Sequence, residues 1–262
     1  MNSINNGRIH LHIDIESTAG DEILTELGKI YDQEHVLVYD THEQKLIRLS
    51  ELPSSPLPNL LTKGKKKLKG SPFHNLLKNL SSSVLKKHKG QLNWIDTQKI
   101  PSDTAAIHGH FQPDLFKGVL ENCFLSVIFR DPLERAIAQF MEWKNAKGNV
   151  HWRVEIPYQS NLTFKEFAFL PELKNFQFNS LGDTRLGDFD LIGVTECLEG
   201  FLMQLHGEEP NRTTTHSNQG RLPESKYKKL GITDEFKKEF KEFNLKDYDL
   251  YSLSKEFIGF CE

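Results

Sequence analysis

A short apolar run that leads directly into a helix start constrains the fold of this chain more than any other feature. Residues 123–129 are nearly continuously apolar, which is typical of a strand buried on both faces. Asp131 and Pro132 follow, a pair typical of a helix N-terminus, and the spacing of apolar residues predicts a helix from Pro132 to about Lys144. A buried strand followed at once by an amphipathic helix indicates a parallel sheet covered by helices.

The same alternation of strand and helix recurs along the 262 residues. Further strands are predicted at residues 8–15, 35–39, 104–110 and 189–194. Further helices are predicted at residues 21–31, 76–87, 114–120, 196–205 and 234–260. The predicted fold class is therefore α/β, with a central parallel sheet flanked by helices in one domain that spans residues 1–262.

Positive charge is concentrated in one segment, at about residues 52–95. The whole chain has 33 Lys and Arg against 36 Asp and Glu, but this segment has nine lysines and no acidic residue. We interpret it as a basic insertion, either a solvated one or a surface that attracts an anionic partner. Nucleic acid is not expected as that partner, because no nucleic-acid-binding motif is present.

The location of the protein is predicted from what its sequence lacks. No apolar stretch approaches the ~20 residues of a membrane-spanning helix, so no integral membrane segment is expected. The polar N-terminus does not resemble a secretory signal, and the three cysteines are widely spaced. We therefore predict a cytoplasmic protein with reduced thiols.

Four segments together resemble the PAPS-dependent sulfotransferases, in which PAPS is 3′-phosphoadenosine 5′-phosphosulfate. IHLHIDIESTAGDEI (residues 9–23) resembles their 5′-phosphosulfate segment, and FLSVIFRDPLERAIA (residues 124–138) resembles their 3′-phosphate segment. IHGHF (residues 107–111) is similar to the His-Gly-His segment of the heparan sulfate 2-O-sulfotransferase branch. FDLIGVTE (residues 189–196) resembles a later strand of the family.

This resemblance implies a P-loop-like, three-layer fold and an enzyme that moves a sulfuryl group from PAPS to a carbohydrate hydroxyl. The acceptor can be anionic, as the basic segment favours. Glycan-modifying animal members are held in the Golgi, which leaves a lumenal domain as the alternative location. The residues that would bind the cofactor are Ser17, Thr18, Ala19, Gly20 and Arg130.

The resemblance implies a catalytic role for His110, as the general base, with His108 beside it on the same strand face. A structural role for both histidines stays open. A metal site is a further alternative, because His10 and His12 form a second His-x-His pair, although no carboxylate or cysteine lies at a fitting spacing.

Several positions depart from the family pattern. Ser17 stands where the family has a lysine, Ala138 where it has a serine, and Asp21 and Glu22 where it has small hydroxyl residues. Carboxylates in the first helical turn satisfy the helix dipole and repel a phosphate, and Thr18 with Asp21 matches a capping box. A catalytically inactive relative that binds a glycan or a protein partner is therefore the second hypothesis.

Overall fold

Six strands form one sheet in the computed structural model, which describes residues 7–41, 43–52, 95, 100–148, 156–209 and 224–258. The strands are β1 (Ile9–Ile13), β2 (Val36–Asp40), β3 (Lys45–Arg48), β4 (Ala106–Gly109), β5 (Cys123–Phe129) and β6 (Leu191–Val194). Their order across the sheet is β3-β2-β4-β1-β5-β6. All neighbours pair in parallel except β2 and β3, which are antiparallel. The predicted α/β fold with a largely parallel sheet is confirmed.

Helices cover both faces of this sheet. They are α1 (Gly20–Tyr31), α2 (Lys117–Leu120), α3 (Pro132–Asn145), α4 (Phe164–Ala168), α5 (Phe176–Ser180), α6 (Leu198–Leu205), α7 (Glu224–Lys229), α8 (Asp234–Phe243) and α9 (Leu245–Ile258). One apolar cluster packs α1 and α6 against the sheet, and a larger one packs α3, α4, α5, α8 and α9 against its other face. The result is three layers, helix on sheet on helix.

The tail, predicted to be helical over residues 234–260, is helical over its described residues, but it is divided into two helices. Two helices, α8 and α9, meet at Asn244, whose side chain is buried. The Asn244 Oδ1 accepts a hydrogen bond from the Asn175 N–H at 2.9 Å, while its Nδ2 donates to the Phe240 carbonyl at 3.2 Å. A buried side-chain amide that bonds outside its own helix ends the helix there.

The predicted reduced state of the cysteines is wrong for one of them. Cys197 is disulfide-bonded, whereas Cys123 is a buried free thiol. An odd number of cysteines is compatible with one disulfide and one free thiol, so the count alone could not exclude the bond. Cys261 lies outside the described residues, as do the predicted helix at 76–87 and nearly all of the basic insertion.

No helix among the described residues is long and apolar enough to cross a membrane.

Candidate active site

Three neighbouring strands, β4, β1 and β5, end beside the residues that form the candidate site. Asp14 directly follows β1, His110 follows β4, and Arg130 follows β5. Because these strands are parallel, their carboxyl ends share one edge of the sheet, where ligands bind in open α/β folds. The loop of residues 15–19, between β1 and α1, lies at the same edge.

This loop is closed by Thr18. The Thr18 N–H and hydroxyl both donate to the Ile15 carbonyl, at 3.2 and 2.6 Å. Ser17 and Ala19 flank it with φ angles of 68° and 81°, in the left-handed region. The Thr18 side chain is buried, and its hydroxyl is therefore engaged inside the loop.

Helix α1 begins without a side-chain cap. Its first residue is Gly20, and its N-cap, Ala19, makes no side-chain hydrogen bond. The capping box between Thr18 and Asp21 is not formed, because Thr18 lies one position before the N-cap and its hydroxyl donates to Ile15. The positive end of the α1 dipole is thus left for another acceptor.

The Asp14 carboxylate lies against the first residue of α1. A Cβ added at position 20 would overlap this carboxylate, so only glycine allows the approach. The Oδ2 atom of Asp14 is 3.4 Å from His108 Nε2 and 3.5 Å from His110 Nδ1. A carboxylate of the chain itself therefore stands where the family resemblance expects an anionic ligand.

Asp14 is ionised at neutral pH. Burial raises its pKa, but the positive potential of His110 and the hydrogen bond from His108 outweigh burial and bring the pKa to about 2. The Asp14 side chain is only 12% exposed, so its charge is screened little by solvent.

His110 is held by both the backbone and the side chain of Asp14. Its Nδ1 lies 2.9 Å from the Asp14 carbonyl oxygen, which can only accept, so Nδ1 carries a proton. Burial lowers the pKa of His110, but the carboxylates of Asp14 and Glu16 raise it to about 9 overall. At neutral pH the ring is therefore an imidazolium, and Nε2 becomes a base when that proton is lost.

His108 lies behind Asp14. Its ring is almost fully buried, and Nδ1 has no hydrogen-bond partner within the described residues. The ring of His12 stacks on it, with centroids 5.2 Å apart and planes within 2°. His108 therefore holds the Asp14 carboxylate in place, and that carboxylate in turn contacts His110.

A buried polar chain continues behind His12. The Ser126 hydroxyl lies 2.6 Å from His10 Nε2 and 2.7 Å from His12 Nδ1, and the Tyr31 hydroxyl lies 3.2 Å from His10 Nδ1. A hydroxyl donates one proton, so one of the two nitrogens that face Ser126 is protonated and the other is bare. As neutral rings, His10 and His12 therefore share one tautomer, with the proton either on Nε2 of both or on Nδ1 of both.

Both of these inner histidines are neutral. Burial, reinforced by repulsion from His108, lowers the pKa of His10 to about 3. The same two causes hold the pKa of His12 well below its usual value, although Asp14 acts in the opposite direction. No group of three or more His, Cys, Asp or Glu side chains in the described part of the chain is arranged to hold a metal ion.

Arg130 joins the two segments that carry the family resemblance. Its Nη1 donates to the Ser17 carbonyl at 3.1 Å, across 113 positions of sequence. Burial lowers the pKa of the guanidinium, although Glu134, Glu196 and Asp131 act in the opposite direction. Arg130 therefore lies between the loop and several acidic side chains.

The first turn of α1 is surrounded by carboxylates. Glu16 is buried, and Asp21 and Glu22 lie in the turn itself. Burial and the nearby charges of Asp14 and Glu22 raise the pKa of Asp21. Ser17 donates its hydroxyl to Glu142 Oε2 at 3.3 Å. This part of the site favours a neutral or cationic group over a second anion.

The sequence prediction and the structure agree on which segments meet and differ on what fills the space between them. Asp14, Ser126 and Tyr31 were not predicted as site residues. No signal in the sequence marked Asp14, which lies inside the predicted strand at 8–15, or Ser126, whose partner His10 lies 116 positions away.

Comparisons of the chain with protein families, with curated proteins and with solved structures found no match.

Proposed function

We propose that this protein is a sulfotransferase that moves a sulfuryl group from PAPS to a hydroxyl of a carbohydrate acceptor. The observation that carries the proposal is the hydrogen bond from Arg130 Nη1 to the Ser17 carbonyl at 3.1 Å. It joins the segment that resembles a 3′-phosphate motif to the segment that resembles a 5′-phosphosulfate loop. His110, directly after β4, lies at the same edge of the sheet.

The site fits PAPS on one side better than on the other. Arg130 suits the 3′-phosphate, because a planar guanidinium binds phosphate in a bidentate manner. The loop of residues 17–20 offers less, since Asp14 lies against Gly20 and Ser17 replaces a lysine. PAPS, when bound, would supply the activated sulfuryl group.

The residues of the chain itself would handle the acceptor. In its neutral form His110 Nε2 accepts the proton of the acceptor hydroxyl, while Nδ1 stays bonded to the Asp14 carbonyl. His108 and Asp14 hold that ring in place. Because the pKa of His110 is raised to about 9, the base form becomes abundant only in alkaline solution.

A second candidate function is binding without catalysis. The observation that favours it is the approach of the Asp14 carboxylate to Gly20, together with the acidic first turn of α1. These groups occupy the end of the helix that would hold the phosphosulfate. A hydroxyl-rich, uncharged glycan would then be the ligand that the acidic edge accepts.

Calorimetric titration with PAP, the desulfonated product of PAPS, separates these two functions. A sulfotransferase binds PAP, and Arg130→Ala should weaken binding by about 1.5–3 kcal/mol, the usual scale for a hydrogen bond to a charged group. Arg8→Ala is the matched control, because Arg8 lies beyond the opposite end of β1 and pairs with Asp190. If the wild-type protein does not bind PAP but binds a neutral oligosaccharide, the second function is established instead.

The disulfide at Cys197 favours a location in an oxidising compartment, such as a lumen, over the cytoplasm. Alkylation of the denatured protein, with and without prior reduction, tests this. Without reduction, the Cys123 thiol should be labelled and Cys197 should be protected. Equal labelling of both cysteines would contradict the disulfide and favour a cytoplasmic location.

A further inference from the structure

One buried amide side chain holds the backbone of Arg130. The Arg130 N–H donates to Gln177 Oε1, and Gln177 Nε2 donates to the Arg130 carbonyl, both at 2.9 Å. Pairing between β5 and β6 ends one residue earlier, at Phe129 and Val194. The amide therefore supplies the two hydrogen bonds that another strand residue would make, and it fixes the direction in which the Arg130 side chain leaves the sheet.

Gln177 is itself held by Asp247 from α9. The two carboxylate oxygens accept hydrogen bonds from the Gln177 N–H at 3.2 Å and the Phe178 N–H at 2.8 Å. These N–H groups belong to the first turn of α5, whose N-cap, Asn175, makes no side-chain cap. Asp247 therefore does for α5 what an N-cap side chain does within a single helix.

Two further contacts hold α9 and α5 together near Asp247. Asn175 Oδ1 accepts from the Lys246 N–H at 3.1 Å, which fixes the start of α9 against α5. The buried Arg135 places its guanidinium 4.5 Å from the centre of the Phe176 ring, and its positive charge acts on Asp247. The Asp247 carboxylate is thus buried with hydrogen-bond donors and a compensating charge.

We propose that Gln177 and Asp247 are positioning residues for Arg130, so that the last helix, α9, is a working part of the anion site at the sheet edge. The identity of the anion rests on the proposed function, whereas the chain of contacts does not. Asp247 lies beyond the segments that carry the family resemblance, the last of which ends at residue 196.

A double-mutant cycle with PAP as the ligand tests the proposal. Gln177→Met keeps the length of the side chain and removes its amide, and it should weaken PAP binding about tenfold. If Gln177 acts through Arg130, the double variant Gln177→Met with Arg130→Ala should bind PAP no more weakly than Arg130→Ala alone. Ser254→Ala, a buried polar residue of α9 bonded within its own helix, is the control and should bind PAP normally.

Two results of the cycle would overturn the proposal. One is wild-type affinity for PAP in Gln177→Met. The other is a double variant weakened by the full product of the two single losses, which would show that Gln177 acts independently of Arg130. Asp247→Asn, which keeps the shape of the carboxylate, replaces Gln177→Met if the latter does not fold.

Hydrogen exchange of the free protein separates this proposal from the proposed function. Gln177→Met should speed exchange of the Arg130 amide at least tenfold, while the Phe129 amide, still paired within the sheet, keeps its protection. If wild-type protein does not bind PAP, the proposed function fails, and this exchange result alone decides the role of Gln177. Unchanged exchange at Arg130 would show that Gln177 does not position it.

Discussion

Two helices start at the same edge of the sheet, and their first turns are satisfied in opposite ways. Helix α3 has a local cap, because Asp131 Oδ1 accepts hydrogen bonds from the Leu133 and Glu134 N–H groups at 3.0 and 3.1 Å. Helix α1 has no such cap, and the carboxylate that lies at its start comes from Asp14, at the end of β1.

This difference gives the two helix starts at one edge of the sheet different charges. The capping residue of α3, Asp131, directly follows Arg130 in sequence. The backbone of Arg130 is held by Gln177, which sets the direction of the Arg130 side chain. The Asp14 carboxylate instead lies against the start of α1, and the positive end of a helix is a place where a phosphate can bind. We call Arg130 with the first turn of α3 the α3 corner, and Asp14 with the loop of residues 15–19 and the first turn of α1 the α1 corner.

Different side chains lie behind the two corners, and a fall in pH should destabilise the α1 corner first. Behind it lie His10 and His12, whose lowered pKa values mean that the unfolded chain binds more protons below pH 6.5. The free energy of unfolding should therefore fall as pH drops from 6.5 towards 3, by about 1.4 kcal/mol per pH unit for His10 alone, with His12 adding to it. Urea unfolding at a series of pH values measures this slope.

His12→Gln removes the proton that the unfolded chain takes up at this histidine. The free energy of unfolding should therefore fall less steeply as pH drops below 6.5. His35→Gln, at a histidine that is 45% exposed and lies away from the α1 corner, is the matched control. Hydrogen exchange at pH 5 should show that β1 loses protection before the first turn of α3. Simultaneous loss at both corners would contradict the distinction between them.

Asp14→Asn should have the next largest effect. Removing a buried charge that pairs with His108 and His110 should lower the free energy of unfolding by about 3 kcal/mol at pH 6. The pKa of Asp14 is depressed to about 2, so its contribution is lost as pH falls through 2, and the raised pKa of His110 means that its own contribution is lost as pH rises through 9. The cost of the substitution should therefore shrink at both extremes of pH.

Asp103→Asn is the control for that experiment, because Asp103 is 49% exposed and pairs with Arg48 at the surface. Its effect should stay below about 1 kcal/mol, as for most surface ion pairs. If the two substitutions cost the same, Asp14 does not stabilise the α1 corner in the way its contacts indicate.

The sequence predicted the buried parts of the fold best. The limits of β5 (Cys123–Phe129) agree with the prediction, because a strand buried at every position leaves an uninterrupted apolar run. The strand β3 (Lys45–Arg48) was not predicted, since it lies at the edge of the sheet, none of its residues is buried and its pattern is not periodic. Short helices such as α5 (Phe176–Ser180) were also missed, because five residues hold little more than one turn.

The site was predictable only where local sequence determines it. His110 and Arg130 follow strands, so their position at the sheet edge could be derived from the order of the elements. The contacts that define their chemistry could not be, because Asp14 and His110 are 96 positions apart, and Arg130 and Gln177 are 47 apart. Such pairings depend on the register of β1 with β4 and on the packing of α5, which a single sequence does not encode locally.

The protonation of His110 should decide the pH dependence of sulfuryl transfer at the α1 corner. With a pKa of about 9, the base form increases about tenfold from pH 7 to 8 and about fivefold from pH 8 to 9, and the single-turnover rate with PAPS should rise in the same way. Asp14→Asn should shift this rise to lower pH, because the attraction of the carboxylate is gone. A rate independent of pH from 6 to 10, in protein whose His110 titrates near 9 by NMR, would show that His110 is not the base. His206→Gln, at a histidine bonded to Glu26 elsewhere, is the matched control.

The smallest effect is expected from giving the loop the residues of the sulfotransferases that it resembles, while Asp14 stays in place. The triple variant Ser17→Lys, Asp21→Thr and Glu22→Ser adds one positive charge and removes two negative ones near the start of α1. We expect PAP affinity to rise by only about 1 kcal/mol, and to do so mainly at low salt, because exposed charges are screened over ~10 Å at 0.1 M. Adding Asp14→Asn to the triple variant should increase affinity further, since it removes the charge that lies against Gly20. Titrations at 0.02 M and 0.2 M salt measure both steps. A triple variant that gains its full affinity with Asp14 intact would mean that Asp14 does not compete with the anion, and the α1 corner would then differ from the α3 corner only in its surface charges.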